Sequence, residues 1–291
     1  MPSHLIIYSG SFSYNRLDYR ETSIEGDLAL KRSLFLLFLS VLLTHCGGGS
    51  DSGPSLAQSA CGTLSLNERI ISGTACSSSN SPVVRIILSF DDGTSGLCSG
   101  TMLTSNDVLT AAHCFFPTVL QAQVQAGNQS SFGKTVYVHP GARTELQASA
   151  VFNDVAILTL STPLNLPTLP LLGSRSLSAG SVISIFGYGI DENEESGTLR
   201  SGEMKISDVS SNHIFASYNG SGSNTCNGDS GGPAIYSFTS ANGSTVNAIA
   251  GIVSSGELVS CGSGDVTLFT NIDSDSIMSF ITSRVPDVRV K

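Results

Sequence analysis

From Ser81 onward the chain is cut into short runs rich in β-branched residues: Val83–Phe90, Val136–His139, Val155–Leu160, Val182–Phe186, Ile235–Phe238 and Val246–Val253. Gly, Ser, Asn and Pro punctuate the intervals, and no helical period fills them. Short strands at this density point to an all-β antiparallel sandwich or barrel. One helix is expected, at the end, where Ile277, Met278, Ile281 and Val285 recur at helical spacing. Asp273 or Ser274 would cap it and Pro286 would stop it. No internal repeat of fixed period accompanies these runs.

Composition agrees with a strand-and-loop protein outside the cytosol. Of 291 residues only 13% are charged, against a usual ~25%. Gly and Ser are abundant and Trp is absent. The net charge of −9 comes without any Lys/Arg cluster, so nucleic acid is excluded as a partner. An acidic surface of this kind serves solubility.

The front of the chain carries its own signals. Lys31-Arg32 precede the apolar run Ser33–Leu43, too short to span a bilayer and suited to a signal peptide. Leu43-Thr44-His45-Cys46 resembles a bacterial lipobox, although His45 stands where that pattern favours a small residue. Two readings follow, a lipid on Cys46 with possible membrane attachment, or plain secretion. Both place the protein outside the cytoplasm. The expected organisation is a leader and signal peptide over 1–46, a linker and propeptide over 47–69, and a single folded domain over 70–291. No function attaches to residues 1–30.

Seven cysteines occur, at 46, 61, 76, 98, 114, 226 and 261. If Cys46 is lipidated or removed, six remain for three disulfides in an oxidising compartment. Metal-ligand spacings such as C-x2-C are absent, so no metal or other cofactor is expected.

Three segments carry chemistry together: Thr110-Ala-Ala-His113-Cys114, Asn153-Asp154-Val-Ala-Ile-Leu158 and Cys226-Asn-Gly-Asp-Ser230-Gly-Gly-Pro233. Alone, His113 could be a structural histidine and Asp154 a strand cap. The glycines around Ser230 suggest a tight turn that exposes a hydroxyl and aims backbone N–H groups at one point. In the order His, Asp, Ser, the three segments resemble the signature blocks of the trypsin/chymotrypsin-like serine peptidases. The likeness covers roughly residues 70–285. It implies two six-stranded antiparallel β-barrels of the chymotrypsin type with a C-terminal α-helix. The interval from Asp154 to Ser230 is short for the family, which implies trimmed loops in the second barrel.

The resemblance also implies roles. Ser230 would be the nucleophile, His113 its general base, and Asp154 the group that fixes the tautomer of His113. Backbone N–H groups of Gly228 and Ser230 would form the oxyanion hole. Disulfides Cys98–Cys114 and Cys226–Cys261 are implied, which leaves Cys61 to pair with Cys76. Glu68-Arg69-Ile70-Ile71-Ser72-Gly73 looks like the family's activation site, with cleavage after Arg69 and burial of the Ile70 ammonium against Asp229. An activating protease is then a required partner, beside protein or peptide substrates. Asn224, six residues before the nucleophile, would lie at the base of the primary pocket, with Ser254 and Gly256 on its substrate-pairing wall. A neutral Asn224 leaves Arg or Lys uncompensated and argues against strong trypsin-like cleavage. The expected function is a serine endopeptidase acting through an acyl-enzyme. The alternative is a catalytically silent relative that binds at the cell surface.

Overall fold

The structure, a computed structural model, describes residues 68–69, 74–145, 150–258 and 260–291. Two short strands, β1 (Glu68–Arg69) and β2 (Thr74–Cys76), lead into a first closed barrel. It is built from β3 (Val83–Phe90), β4 (Ser95–Met102), β5 (Asp107–Thr110), β6 (Val119–Ala126), β7 (Gln129–Val138) and β10 (Ala156–Leu160). Every neighbouring pair is antiparallel, in the order β10-β5-β4-β3-β6-β7, and β7 returns to β10. A hairpin of β8 (Arg143–Glu145) and β9 (Ala150–Phe152) stands apart from it.

The second barrel uses β11 (Val182–Gly187), β12 (Arg200–Val209), β13 (His213–Ser217), β14 (Pro233–Thr239), β15 (Thr245–Gly256) and β16 (Val266–Asn271). Its order is β12-β11-β14-β15-β16-β13, closed by the pairing of β12 with β13, while β1 and β2 extend one edge. The all-β expectation and the two six-stranded barrels are both realised.

Alternation explains the first barrel locally. In β3, Val84, Ile86 and Leu88 are buried while Arg85, Ile87 and Ser89 are less so, the period of a strand with one face on a core. Each such aliphatic side chain taken from water contributes about 1.5–3 kcal/mol. Among the strands outside the named runs, β4 and β12 were hidden for different reasons. β4 is SGLCSGTM, small and Gly-rich, and reads as a loop although its last five residues are buried. β12 alternates charged and apolar residues, with Glu203 and Lys205 beside Met204 and Ile206.

The helix α1 spans Asp275–Arg284, with Ser274 at the N-cap position but making no side-chain capping bond. Asp275 in its first turn and Arg284 in its last complement the helix dipole. Ile277, Phe280 and Ile281 bury one face in the cluster that also holds Leu164, Leu166, Leu169 and Leu172. Val285 ends the helix, one residue before Pro286.

Candidate active site

His113 sits on a single 3-10 turn, Ala112–Phe115, that follows β5. Cys114 on that turn is bonded to Cys98 of β4, so the turn is covalently tied to the barrel wall. Asp154 precedes β10 and is completely buried. Its neighbour Asn153 adopts φ +50°, a left-handed conformation that Asn tolerates better than most residues. Reciprocal amide bonds hold it there: Asn153 N donates to Asn212 Oδ1 at 3.0 Å and Asn212 Nδ2 to Asn153 Oδ1 at 3.1 Å.

So anchored, the Asp154 carboxylate meets three donors. Its Oδ1 accepts the backbone N–H of His113 at 2.9 Å, and its Oδ2 faces His113 Nδ1 at 2.8 Å and Ser254 Oγ at 2.5 Å. An Nδ1–H held on the carboxylate leaves Nε2 as the free lone pair of a neutral imidazole. Burial lowers the His113 pKa, but the charge of Asp154 and its hydrogen bond raise it, and the balance lies above the ordinary 6.5.

Ser230 lies in the turn between the Cys226 disulfide and β14. Cys226 bonds Cys261, bracing that turn from the second barrel. The turn presses against the first barrel so closely that a Cβ on Gly231 would stand 2.2 Å from Thr110 Oγ1 and 2.3 Å from the Ser99 carbonyl oxygen. This contact sets the serine's turn beside the segment that carries His113. Ser230 is half-buried, and among the described residues its hydroxyl has no hydrogen-bond partner. The backbone N–H groups of Gly228 and Ser230 are likewise unpaired, while those of Asp229, Gly231 and Gly232 are all bonded to carbonyls.

Asp229 turns the other way, into the protein. Gly187 and Gly189 make room for it: a Cβ at either would approach its carboxyl to within 2.1 and 2.5 Å respectively. Asp229 Oδ1 accepts Gly189 N at 2.7 Å and Oδ2 accepts Cys226 N at 2.9 Å. Burial pushes its pKa up to about 6, against the lowering effect of those two N–H groups and of Arg200. No cation forms an ion pair with it among the described residues. A cavity of about 230 Å³ opens onto it, lined also by Gly189, Arg200, Asn224 and Cys226.

Comparison with known proteins places the chain in a family. The family model described as Trypsin matches residues 70–281. The chain belongs to the trypsin family. It is 28% identical over 234 residues to mouse kallikrein 1-related peptidase b1, covering 68% of this chain and 83% of that one. Identity to Drosophila erecta trypsin beta is 28% over 223 residues, 69% of this chain and 84% of the relative. Mouse serine protease 56 is 29% identical over 207 residues, and the match spans 62% of this chain and 33% of that longer protein. In three dimensions HL collagenase aligns with a TM-score of 0.60 at 18% identity, over 77% of this chain and 98% of that one. That likeness is one of fold.

Within this trypsin-family domain the structure brings His113, Asp154 and the Gly228–Ser230 turn together. Arg69 ends β1, but Ile70, Cys61 and Cys46 lie outside the described residues. Cys76 is disulfide-bonded, with the Cys61 end of the expected pair outside them. Ser254, expected on the substrate wall, is buried and spends its hydroxyl on Asp154. Asn224 is not an isolated neutral group. Its Nδ2 donates to Asp265 Oδ2 at 2.8 Å and to the Cys261 carbonyl at 3.0 Å, and its Oδ1 accepts Thr267 Oγ1 at 2.8 Å. A Cβ on Gly256 would also stand 3.1 Å from Asp265 Oδ2, so Asn224 and Gly256 converge on one buried carboxyl. Sequence reasoning missed Asp265, which sits in Gly262-Ser-Gly-Asp265 with nothing local to mark it as buried. Beside Ser254, Ser255 Oγ is enclosed without a hydrogen-bond partner among the described residues.

Proposed function

We propose that the chain is a serine endopeptidase that hydrolyses peptide bonds through an acyl-enzyme. The observation that carries this reading is the conjunction of a His113–Asp154 pair poised as neutral base and orienter with two unpaired N–H groups flanking a free serine hydroxyl. Ser230 Oγ attacks the scissile carbonyl carbon while His113 Nε2 takes its proton. The carbonyl oxygen gains the charge and is received by Gly228 N–H and Ser230 N–H. Collapse of the tetrahedral adduct breaks the C–N bond, and His113 returns the proton to the leaving amine. Water, deprotonated by the same imidazole, then releases the acid and regenerates Ser230. Asp154 stabilises each imidazolium without taking the proton.

Asp229 supports activation by cleavage after Arg69. A half-buried carboxylate turned into the protein without a cation is costly, and the freed Ile70 ammonium would supply one through the adjoining cavity. Substrates are proteins or peptides. Asp265, buried behind Asn224 with both oxygens already hydrogen-bonded, would act on the pocket through its charge, so the preference to expect is a cationic side chain, contrary to what neutral Asn224 alone suggests. The two disulfides favour an oxidising compartment outside the cytoplasm. A lipid on Cys46, with a Cys61–Cys76 bond bridging the cleavage site, would keep the active enzyme tethered; plain secretion would not.

A fluorophosphonate probe tests the central reading. It should label Ser230 in the cleaved protein, and Ser230→Ala should abolish labelling. A cleaved, folded wild type that resists the probe would place the chain among silent binding relatives instead.

A further inference from the structure

Gly228 is the least constrained donor of the proposed oxyanion hole. At φ +97° it occupies a region open to glycine alone, and nothing in its own side chain holds its amide in place. Two neighbours restrict it. The carbonyl before its N–H, that of Asn227, accepts Ile190 N at 2.9 Å. The carbonyl after it, its own, accepts a side-chain hydroxyl at 2.9 Å, and that hydroxyl belongs to Ser99.

Ser99 is fully buried on β4, next to Cys98, and all its polar atoms are engaged. Its Oγ donates to Gly228 O and accepts Tyr188 N at 2.9 Å. Its backbone N donates to Ser230 O at 2.8 Å, and its carbonyl accepts Thr110 Oγ1 at 2.8 Å. A single residue of the first barrel thus grips both ends of the Gly228–Ser230 turn and the start of the loop whose Gly189 N–H holds Asp229. A hydroxyl with one proton and one acceptor bond used in this way can satisfy both Gly228 O and Tyr188 N; no apolar side chain can.

We infer that Ser99 is a positioning residue for the oxyanion hole, gripping the turn at the Gly228 and Ser230 carbonyls and so fixing where the Gly228 N–H stands, while the Asn227 carbonyl on Ile190 N sets that N–H's direction. The inference rests on the peptidase reading and adds to it a role for a residue that touches no substrate atom. Removing the hydroxyl leaves Gly228 O and Tyr188 N unpaired in a buried place, and the peptide after Gly228 keeps only its Asp229 N to Cys226 O bond, so the turn loosens where the Gly228 N–H is carried. Preorganised donors act on the transition state more than on bound substrate, so the loss should fall on kcat.

The experiment compares full-length, cleaved wild type with Ser99→Ala and Ser99→Cys, each normalised to sites titrated with the fluorophosphonate. The substrate is a peptide amide chosen by library profiling, and the probe of the tetrahedral state is a boronic acid of the same peptide sequence. Ser99→Ala should lower kcat about ten-fold or more with KM changed less than about two-fold, and boronate affinity should fall by the same factor as kcat/KM. Ser99→Cys, near in size but a weak donor, should lie between. Wild-type kcat and boronate affinity in folded Ser99→Ala would overturn the inference, as would a loss expressed only in KM or failure of both variants to fold, which would make Ser99 a purely structural residue. An inactive wild type would instead refute the peptidase reading, so the two failures are distinguishable.

Discussion

Asp154 and Asp229 are carboxylates on opposite halves of the site, and they are held differently. Asp154, beside the first barrel, receives His113 twice and Ser254 once, and every partner lies within the folded domain. Asp229, in the second, receives two backbone N–H groups and no cation among the described residues. The base half of the machinery is complete as folded, whereas the nucleophile half holds an unneutralised acid beside a cavity. On the proposed activation after Arg69, control would belong to the second half, where the carboxylate has no cation among the described residues.

Substitutions can break that contrast. Asp154→Asn should cost about 10⁴-fold in kcat, in cleaved and uncleaved protein alike, because the amide donates to Nδ1 and leaves the ring proton on Nε2, the nitrogen that must act as base. It should also move the acid limb of kcat/KM to lower pH, since Asp154 is what raises the His113 pKa. Steady-state kinetics across pH with circular dichroism as a folding control checks both. Asp229→Asn should act only on the cleaved form, lowering kcat by roughly 10²–10³ as for loss of one oxyanion donor, and bringing the ratio of cleaved to uncleaved activity towards one. Persistence of a large ratio would disconnect Asp229 from activation.

Two further measurements sharpen it. Asp265→Asn should lower the preference for Lys or Arg over Leu peptides by about ten-fold, the scale of one weakened charge contact. An unchanged ratio would remove Asp265 from the pocket's selectivity. The smallest effect concerns stability. With its pKa raised from 3.8 to about 6, Asp229 binds more protons folded than unfolded in that window. Its contribution is therefore complete below about pH 4 and is lost as pH rises through about 6. Thermal melts of an uncleavable Arg69→Gln chain should show this decline, and the cleaved enzyme, with an ammonium at Asp229, should not.

What the sequence made legible follows from physical locality. The runs Val83–Phe90 and Val182–Phe186 declared themselves by β-branched residues between turn-forming ones, and the His113, Asp154 and Ser230 segments by their resemblance to the family's signature blocks. The pairings of Cys98 with Cys114 and Cys226 with Cys261 appeared as the resemblance implied. Ser99 and Asp265 were silent, and Ser254 was read as part of the substrate wall with no sign of its bond to Asp154. Each is a polar residue in a Ser- or Gly-rich stretch that reads as exposed, and each acquires its meaning from a partner far along the chain, 129 residues away for Ser99 and 100 for Ser254. Burial of a polar side chain is a tertiary event without a local signature.

The Asn153–Asn212 amide pair has a consequence for how the protein fails. With the Ser254–Asp154 bond and the Ser99 contacts, it fastens one barrel to the other across the cleft. Each barrel closes its own ladder, so slight separation leaves both sheets intact while the catalytic groups drift out of register. Mild denaturant or warming should silence the enzyme before any strand melts. Activity is thus a gauge of the seam between two barrels, read earlier than any spectroscopic loss of β-structure.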